Sequence, residues 1–427
     1  MKPINFSNEL TKKNNRYQYL RDFIIQESTQ HKIIFFLLAF FLITSPLKNS
    51  LNSVSVILLF SYSLLNYKNI SLKKIIEFYP SYIYFIIVAV SIIYTADVEK
   101  GVTYLLTQVP FLIFPIVFSV IKINEKSLKK LMRIYIYWIC LLILYSELSI
   151  IFGLLNNDES LYLLFRKDYS YINLAEKINI HPPYMMLHVS FCIIYLISNF
   201  GKSGINKTST AIVLFIMFFY SVHLSSRLPL AGVSLITVVL LYKELNLRFG
   251  KVRTALLMFT SVFLLFLMIY NVRSTRYRFQ ELFGIQYSNG VYIKSGGLKL
   301  DQWSSGIEAN NNIIFGNGIG DANNDIVESN YSNNLIKNAK LKYNAHNQYI
   351  QTYVGLGVLG VLSLLFLLYS LLVKCPIDEL KTTAGTLFFY FLIVFMTESY
   401  LERHHGIVFI SFLLCLCNYQ KSPDKLL

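Results

Sequence analysis

Arg227 and His346 are the residues whose type and setting best suit chemistry. Arg227 stands in Leu224-Ser225-Ser226-Arg227, where one apolar run ends and the next begins. A guanidinium keeps its charge there and offers five donors in a fork that fits phosphate oxygens. The bland reading is an anchor that snorkels at a helix end. His346 and Asn347 open a further apolar run. A neutral imidazole near pH 7 accepts the proton of a sugar hydroxyl, as general-base catalysis of glycosyl transfer requires, whereas a plain His-Asn pair would only cap a helix.

Other polar groups lie within reach of the same chemistry. Arg273, Arg276, Arg278 and Lys299 form a basic cluster, either an electrostatic funnel for a pyrophosphate or a contact with anionic lipid. His181 and Tyr184 flank Pro182 and Pro183, and proline suits the first turn of a helix. Both are candidate substrate contacts, as are Asn347, Glu398 and Arg403. Glu398 and Glu402 are expected to share a helical face at i, i+4, with Arg403 or Arg227 as the cation that offsets them. Phe315-Gly316-Asn317-Gly318-Ile319-Gly320-Asp321 resembles a phosphate-binding glycine loop but follows no strand, so a tight turn is the simpler reading. Gly355, Gly357 and Gly360 suggest close helix packing. Without an Asp-x-Asp pair or a Walker lysine loop, the expected activity uses neither a nucleotide sugar nor ATP, and no cofactor or metal. The cysteines, Cys140, Cys192, Cys375, Cys415 and Cys417, all lie in or beside apolar runs, which disfavours disulfides or a thiolate zinc site.

The elements that must position these groups are membrane helices. The 427 residues are 54% hydrophobic, with 33 Phe and 31 Tyr, and apolar segments long enough to cross a hydrocarbon core about 30 Å thick recur along the chain. The expected fold is therefore an all-α polytopic membrane protein with about twelve spans. They fall near 33–49, 51–67, 79–95, 104–121, 131–152, 181–199, 208–224, 227–243, 253–271, 347–373, 382–399 and 405–419. Residues 1–32 form a cytoplasmic segment, 33–271 the first nine spans, 272–346 one large outer loop, 347–419 the last three spans and 420–427 a cytoplasmic tail. The polar start carries no cleavable-signal pattern. With both termini inside, 24 of the 39 Lys and Arg residues face the cytoplasm and 15 face outward, eight of these in the long loop where the charge bias is weak. That orientation gathers 153–180, Ser225 to Arg227, 272–346 and Glu398 to His405 on the outer side. Within the loop, Leu300, Trp303 and Ile307 have helical spacing. The net charge of +15 mostly serves topology, so nucleic acid is not an expected partner.

In order and spacing, these motifs resemble the bacterial O-antigen ligase and O-antigen polymerase membrane proteins. The likeness rests on Ser226-Arg227 opening a span, the large loop after the next span, and the Trp303 helix leading to the glycine run. It rests also on His346-Asn347-Gln348-Tyr349 with the glycines beyond, and on Thr397 to Arg403 as a closing motif. It covers about residues 180–415. The resemblance implies a GT-C-like transferase of the bacterial inner membrane, active on the periplasmic side, that moves a glycan from undecaprenyl pyrophosphate. The acceptor would be a lipid A-core sugar in a ligase, or another carrier-linked repeat in a polymerase. It implies that Arg227 binds pyrophosphate, that His346 binds or deprotonates the acceptor hydroxyl, and that Arg273, Arg276 or Arg278 adds a phosphate contact. Many members have arginine shortly before the tryptophan where this chain has Lys299, which keeps the charge and loses the fork. A polysaccharide transporter is the alternative of another class, against which stands the absence of an inverted repeat or a mid-span charge.

Overall fold

Long apolar runs leave a backbone in lipid no hydrogen-bond partner but itself, and the chain answers with helices. In the computed structural model the described residues are 29–271, 276, 285–288, 291–294, 299–373 and 375–419. In chain order they form α1 (Thr29–Thr44), α2 (Asn49–Leu65), α3 (Leu72–Glu77), α4 (Tyr79–Ser91), α5 (Val98–Gln108), α6 (Pro110–Val120) and α7 (Glu125–Asn156). Then come α8 (Ile172–Glu176), α9 (Pro182–Ser198), α10 (Lys207–Leu224), α11 (Arg227–Phe249) and α12 (Lys251–Asn271). The loop supplies β1 (Ile285–Ser288), β2 (Val291–Lys294), α13 (Lys299–Glu308), α14 (Ala322–Ser332) and α15 (Ile336–Lys340). The chain closes with α16 (Gln348–Val373), α17 (Asp378–Val394) and α18 (His404–Asn418). Several starts are capped from the sequence: Asp97, Asn124 and Asn206 each accept from the amide three residues on.

Residues 182–196 of α9 and 406–418 of α18 are buried on every side, so these are the inner helices. α9 packs against α10, α11 and α17, and α18 against α6. Around them Ile57, Leu65, Leu106, Phe215, Val239 and Leu362 point outward, an apolar exterior that suits hydrocarbon.

Three expectations need correction. Helices occupy all twelve expected positions, but twelve crossings do not follow. Among the described residues Val98–Val120, α7, α10 and α16 are long and apolar enough to cross a membrane, whereas α2, α4, α9 and α18 have only 13–17 residues. At 1.5 Å per residue, a 15-residue helix covers about 22 Å, short of the hydrocarbon thickness. Among the described residues the architecture is helical apart from the antiparallel pair β1–β2 in the loop. Finally, the expected single span at 347–373 is broken at Gly357, whose φ of 62° and ψ of −162° are not helical.

The break is where the glycine run docks. Asn317 and Gly318 donate backbone N–H bonds to the carbonyls of Val354 (2.8 Å) and Gly355 (3.1 Å). Beyond the break, Val358 and Leu359 donate to the carbonyls of Ile313 (2.9 Å) and Ile314 (3.3 Å). The groups an interrupted helix would leave unpaired are thus met by the turn at 313–318. Only glycine fits: a Cβ on Gly316 would lie 2.4 Å from the Leu356 nitrogen, and one on Gly357 2.2 Å from the Ile314 oxygen. Asp321 ties the run to the α4–α5 turn. Its carboxylate accepts from Thr95 Oγ1 (2.9 Å) and from the Ala96 (2.6 Å) and Asp97 (2.8 Å) amides.

Candidate functional site

The end of α17 gathers the candidate residues. Gln348, fully buried at the start of α16, donates its backbone N–H to the Phe395 carbonyl (2.7 Å) and accepts from the Leu401 amide on its side-chain oxygen (2.7 Å). Its amide nitrogen donates to Thr352 Oγ1 at 3.1 Å. Held this way, the 395–401 segment brings Glu398 Oε2 to 3.6 Å from His346 Nδ1. At that distance the two side chains face each other without a formed hydrogen bond. His346 itself sits at φ 44°, a left-handed conformation uncommon for histidine, with its amide bonded to Asn344 Oδ1 (3.0 Å) and its ring edge-on to Tyr343 at 5.3 Å. Its side chain is 29% exposed and that of Glu398 is 12% exposed.

Arg227 reaches the same end of the bundle by helix packing. Gly232 on α11 lies against Tyr390 and Ile393 on α17, where a Cβ would meet Ile393 Cγ2 at 3.4 Å. The start of α11, about 7 Å from Gly232 along its axis, therefore lies beside the end of α17. The turn before it is fixed by Ser225 in the left-handed region (φ 52°) and extended Ser226. Just upstream, the buried His223 ring places Nδ1 at 3.0 Å from both oxygens of Glu147 and Nε2 at 2.9 Å from the Leu164 carbonyl. That clamp joins α7 and the 161–165 turn to the end of α10, and no sequence pattern announces it.

The remaining candidates divide. Asn347 caps α16: its side-chain oxygen accepts from the Tyr349 (2.9 Å) and Ile350 (3.2 Å) amides and it is buried, so that oxygen is not available to a ligand. Tyr184 is a core residue, buried against Tyr400 and beside His405, which removes it from the accessible site. His181 sits at the N-cap of α9, half-buried between the rings of Tyr171 and Tyr184. Arg403 is exposed at the start of α18. Arg276 places its guanidinium 5.3 Å over the Tyr270 ring. Lys299 opens α13, while Arg273 and Arg278 lie outside the described residues. The glycine run presents no cradle, because its Asn317, Gly318 and Gly320 amides are spent on Val354, Gly355 and Thr95.

Glu398 and Glu402 do not share a helical face. α17 ends at Val394, and Tyr400–Glu402 form a separate 3-10 turn. Glu402 turns inward, with one carboxylate oxygen sealed from solvent and the neutral side chains of Tyr104 and Asn323 nearest to it. Burial without a cation pushes its carboxyl up to about 7. The residue as a whole is half-buried; the sealed oxygen is what governs the proton. Among the described residues no group of three or more His, Cys, Asp or Glu side chains could hold a metal.

Residues 212–365 match the family model described as O-Antigen ligase. The match supports membership of the O-antigen ligase family, and with the apolar helices it makes this a membrane protein. The matched O-antigen ligase segment runs from α10 past the break in α16 and holds Arg227, the glycine run and His346; Glu398 and Glu402 lie beyond it. No curated protein matches the chain.

Proposed function

We propose that this member of the O-antigen ligase family is a glycan ligase of the bacterial inner membrane. It moves a glycan from undecaprenyl pyrophosphate to a lipid A-core sugar on the periplasmic side. The observation that carries this reading is the approach of Glu398 to His346 Nδ1 at the end of α17, beside the start of α11 that bears Arg227. Glu398 orients the imidazole, which leaves Nε2 on the opposite edge of a partly exposed ring to receive a proton.

In this mechanism the acceptor hydroxyl oxygen attacks the anomeric carbon and forms the new glycosidic bond. The bond from that carbon to the pyrophosphate oxygen breaks, its electron pair leaves with the pyrophosphate, and the hydroxyl proton passes to His346 Nε2. Arg227, with the positive end of the α11 dipole behind it, stabilises the charge growing on the leaving group. Direct displacement inverts the anomeric centre, so product of retained configuration would refute the scheme. Arg276 stacks on Tyr270 and is a candidate second phosphate contact.

Deletion in the native organism, followed by gel analysis of its glycolipids, tests the reading. Loss of all polymer from lipid A with long carrier-linked chains retained supports a ligase. A single repeat on lipid A would assign a polymerase instead, and polymer trapped inside the cell would assign transport.

A further inference from the structure

Among the described residues of the long polar loop is a run of three that does not suit water. Ile313, Ile314 and Phe315 are consecutive, and 66%, 56% and 49% of their respective surfaces are exposed. They do not stand alone. Through the backbone bonds across the break in α16 they adjoin Val358 and Leu359, which are exposed and lead to Leu362 on the outward face of the same helix. On the other side the Phe315 ring meets Tyr94 at 6.5 Å, next to the outward-facing Ile93 at the end of α4. The tripeptide thus continues the apolar exterior of two membrane helices.

Its backbone gives an independent reason. An exposed turn in water can leave its carbonyls to solvent, but an irregular turn in hydrocarbon cannot. Here the Ile313 and Ile314 carbonyls accept from Val358 and Leu359, and the Phe315 carbonyl accepts from the Tyr94 hydroxyl (2.6 Å). The Ile314 and Phe315 amides donate to Asn312 Oδ1 at 3.2 and 3.1 Å, and the Gly316 amide to the Asn312 carbonyl at 2.7 Å. Outward apolar side chains over a backbone that bonds five of its six polar groups within the protein are what lipid contact favours.

We infer that Ile313–Phe315 is a wedge of the outer loop that inserts among the acyl chains of the outer leaflet, so the loop is seated in the membrane at the break in α16. The inference rests on the membrane reading of α16 and α4 and not on the transfer reaction, so either can fail alone. The test is nitroxide accessibility in the full chain reconstituted into phosphatidylethanolamine–phosphatidylglycerol vesicles. Ile314→Cys is labelled, Glu328→Cys on the exposed face of α14 serves as the water-facing reference, and the unsubstituted chain is the blank for the native cysteines. The expected result is an oxygen-to-nickel-chelate collision ratio at 314 several-fold above that at 328, with Ile313→Cys agreeing. A ratio equal to that at 328 would place the turn in water. A label reached by neither reagent would mean that protein covers it. Either outcome overturns the inference.

Discussion

Two of the places where the polar loop meets α16 differ in what each leaves over. At the glycine run the contact is closed: backbone amides and carbonyls are paired across the break at Gly357, and Asp321 is filled by three donors. At the histidine end the contact is open, with His346 in a strained left-handed backbone, partly exposed and near a carboxylate it does not fully bond. A junction with every group satisfied holds parts in place, whereas one with an accessible, unsaturated side chain can exchange a proton. The glycine run spends its groups on packing, while the histidine end keeps a partly exposed ring, which is what the proposed transfer needs.

The largest expected effect breaks the open junction. His346→Ala should lower glycan transfer from a carrier-linked donor by about a hundredfold or more, and Arg227→Ala by a similar factor, about 10²–10³, with unfolding midpoints close to the parent. Unchanged turnover in both variants would remove the site assignment.

Substitution at the closed junction should act on stability instead. Gly316→Ala combines a φ of 73° with a Cβ 2.4 Å from backbone, so we expect a loss of about 3 kcal/mol or more, read as a lower thermal midpoint of the solubilised protein. If Gly316→Ala folded normally and lost activity only at limiting donor, the glycine run would be a ligand loop after all.

Glu398→Gln sharpens the contrast from the other side. A partly exposed contact of 3.6 Å is worth about 1 kcal/mol, so transfer should fall by roughly fivefold to tenfold, well short of His346→Ala. A loss equal to that of His346→Ala would make Glu398 more than a positioning group.

The last effect concerns Glu402, the inward carboxyl of the turn after α17, and is confined to the pH dependence of stability. Its folded value of about 7 lies above the ordinary 4.5, so the folded state holds the proton more tightly. The stability this gives is fully present below pH 4.5 and is lost as pH rises to about 7. Glu402→Gln should flatten that fall and raise the thermal midpoint at pH 8 relative to the parent. A parental pH dependence in the variant would refute the assignment.

How much of this could be read beforehand varies by residue. The apolar runs, Pro182 at the start of α9, the Ser225–Arg227 turn and the position of α13 follow from hydropathy and local signals, because each depends on neighbours a few residues away. The face of α13 did not follow. Leu300 and Ile307 point outward while Gln302 and Ser305 are buried, bonded to the Asn344 carbonyl and to Ser329 and Asn330. Side chains that serve a distant partner carry no periodic signal, which is also why the bonds made by Gln348, the His223–Glu147 clamp and Asp321 do not show in the sequence.

The sequence by itself determined a helical chain with a polar outer loop, and the residue types able to bind phosphate or take a proton. Hydropathy and charge act locally and add along the chain, so they survive without coordinates. Only the tertiary structure decided that Glu398 approaches His346 while Glu402 turns inward, that Tyr184 is buried and the Asn347 side chain caps a helix, and that the glycines fill a broken helix. Those outcomes depend on contacts between residues far apart in sequence, where a break in one helix creates needs that only another segment can meet.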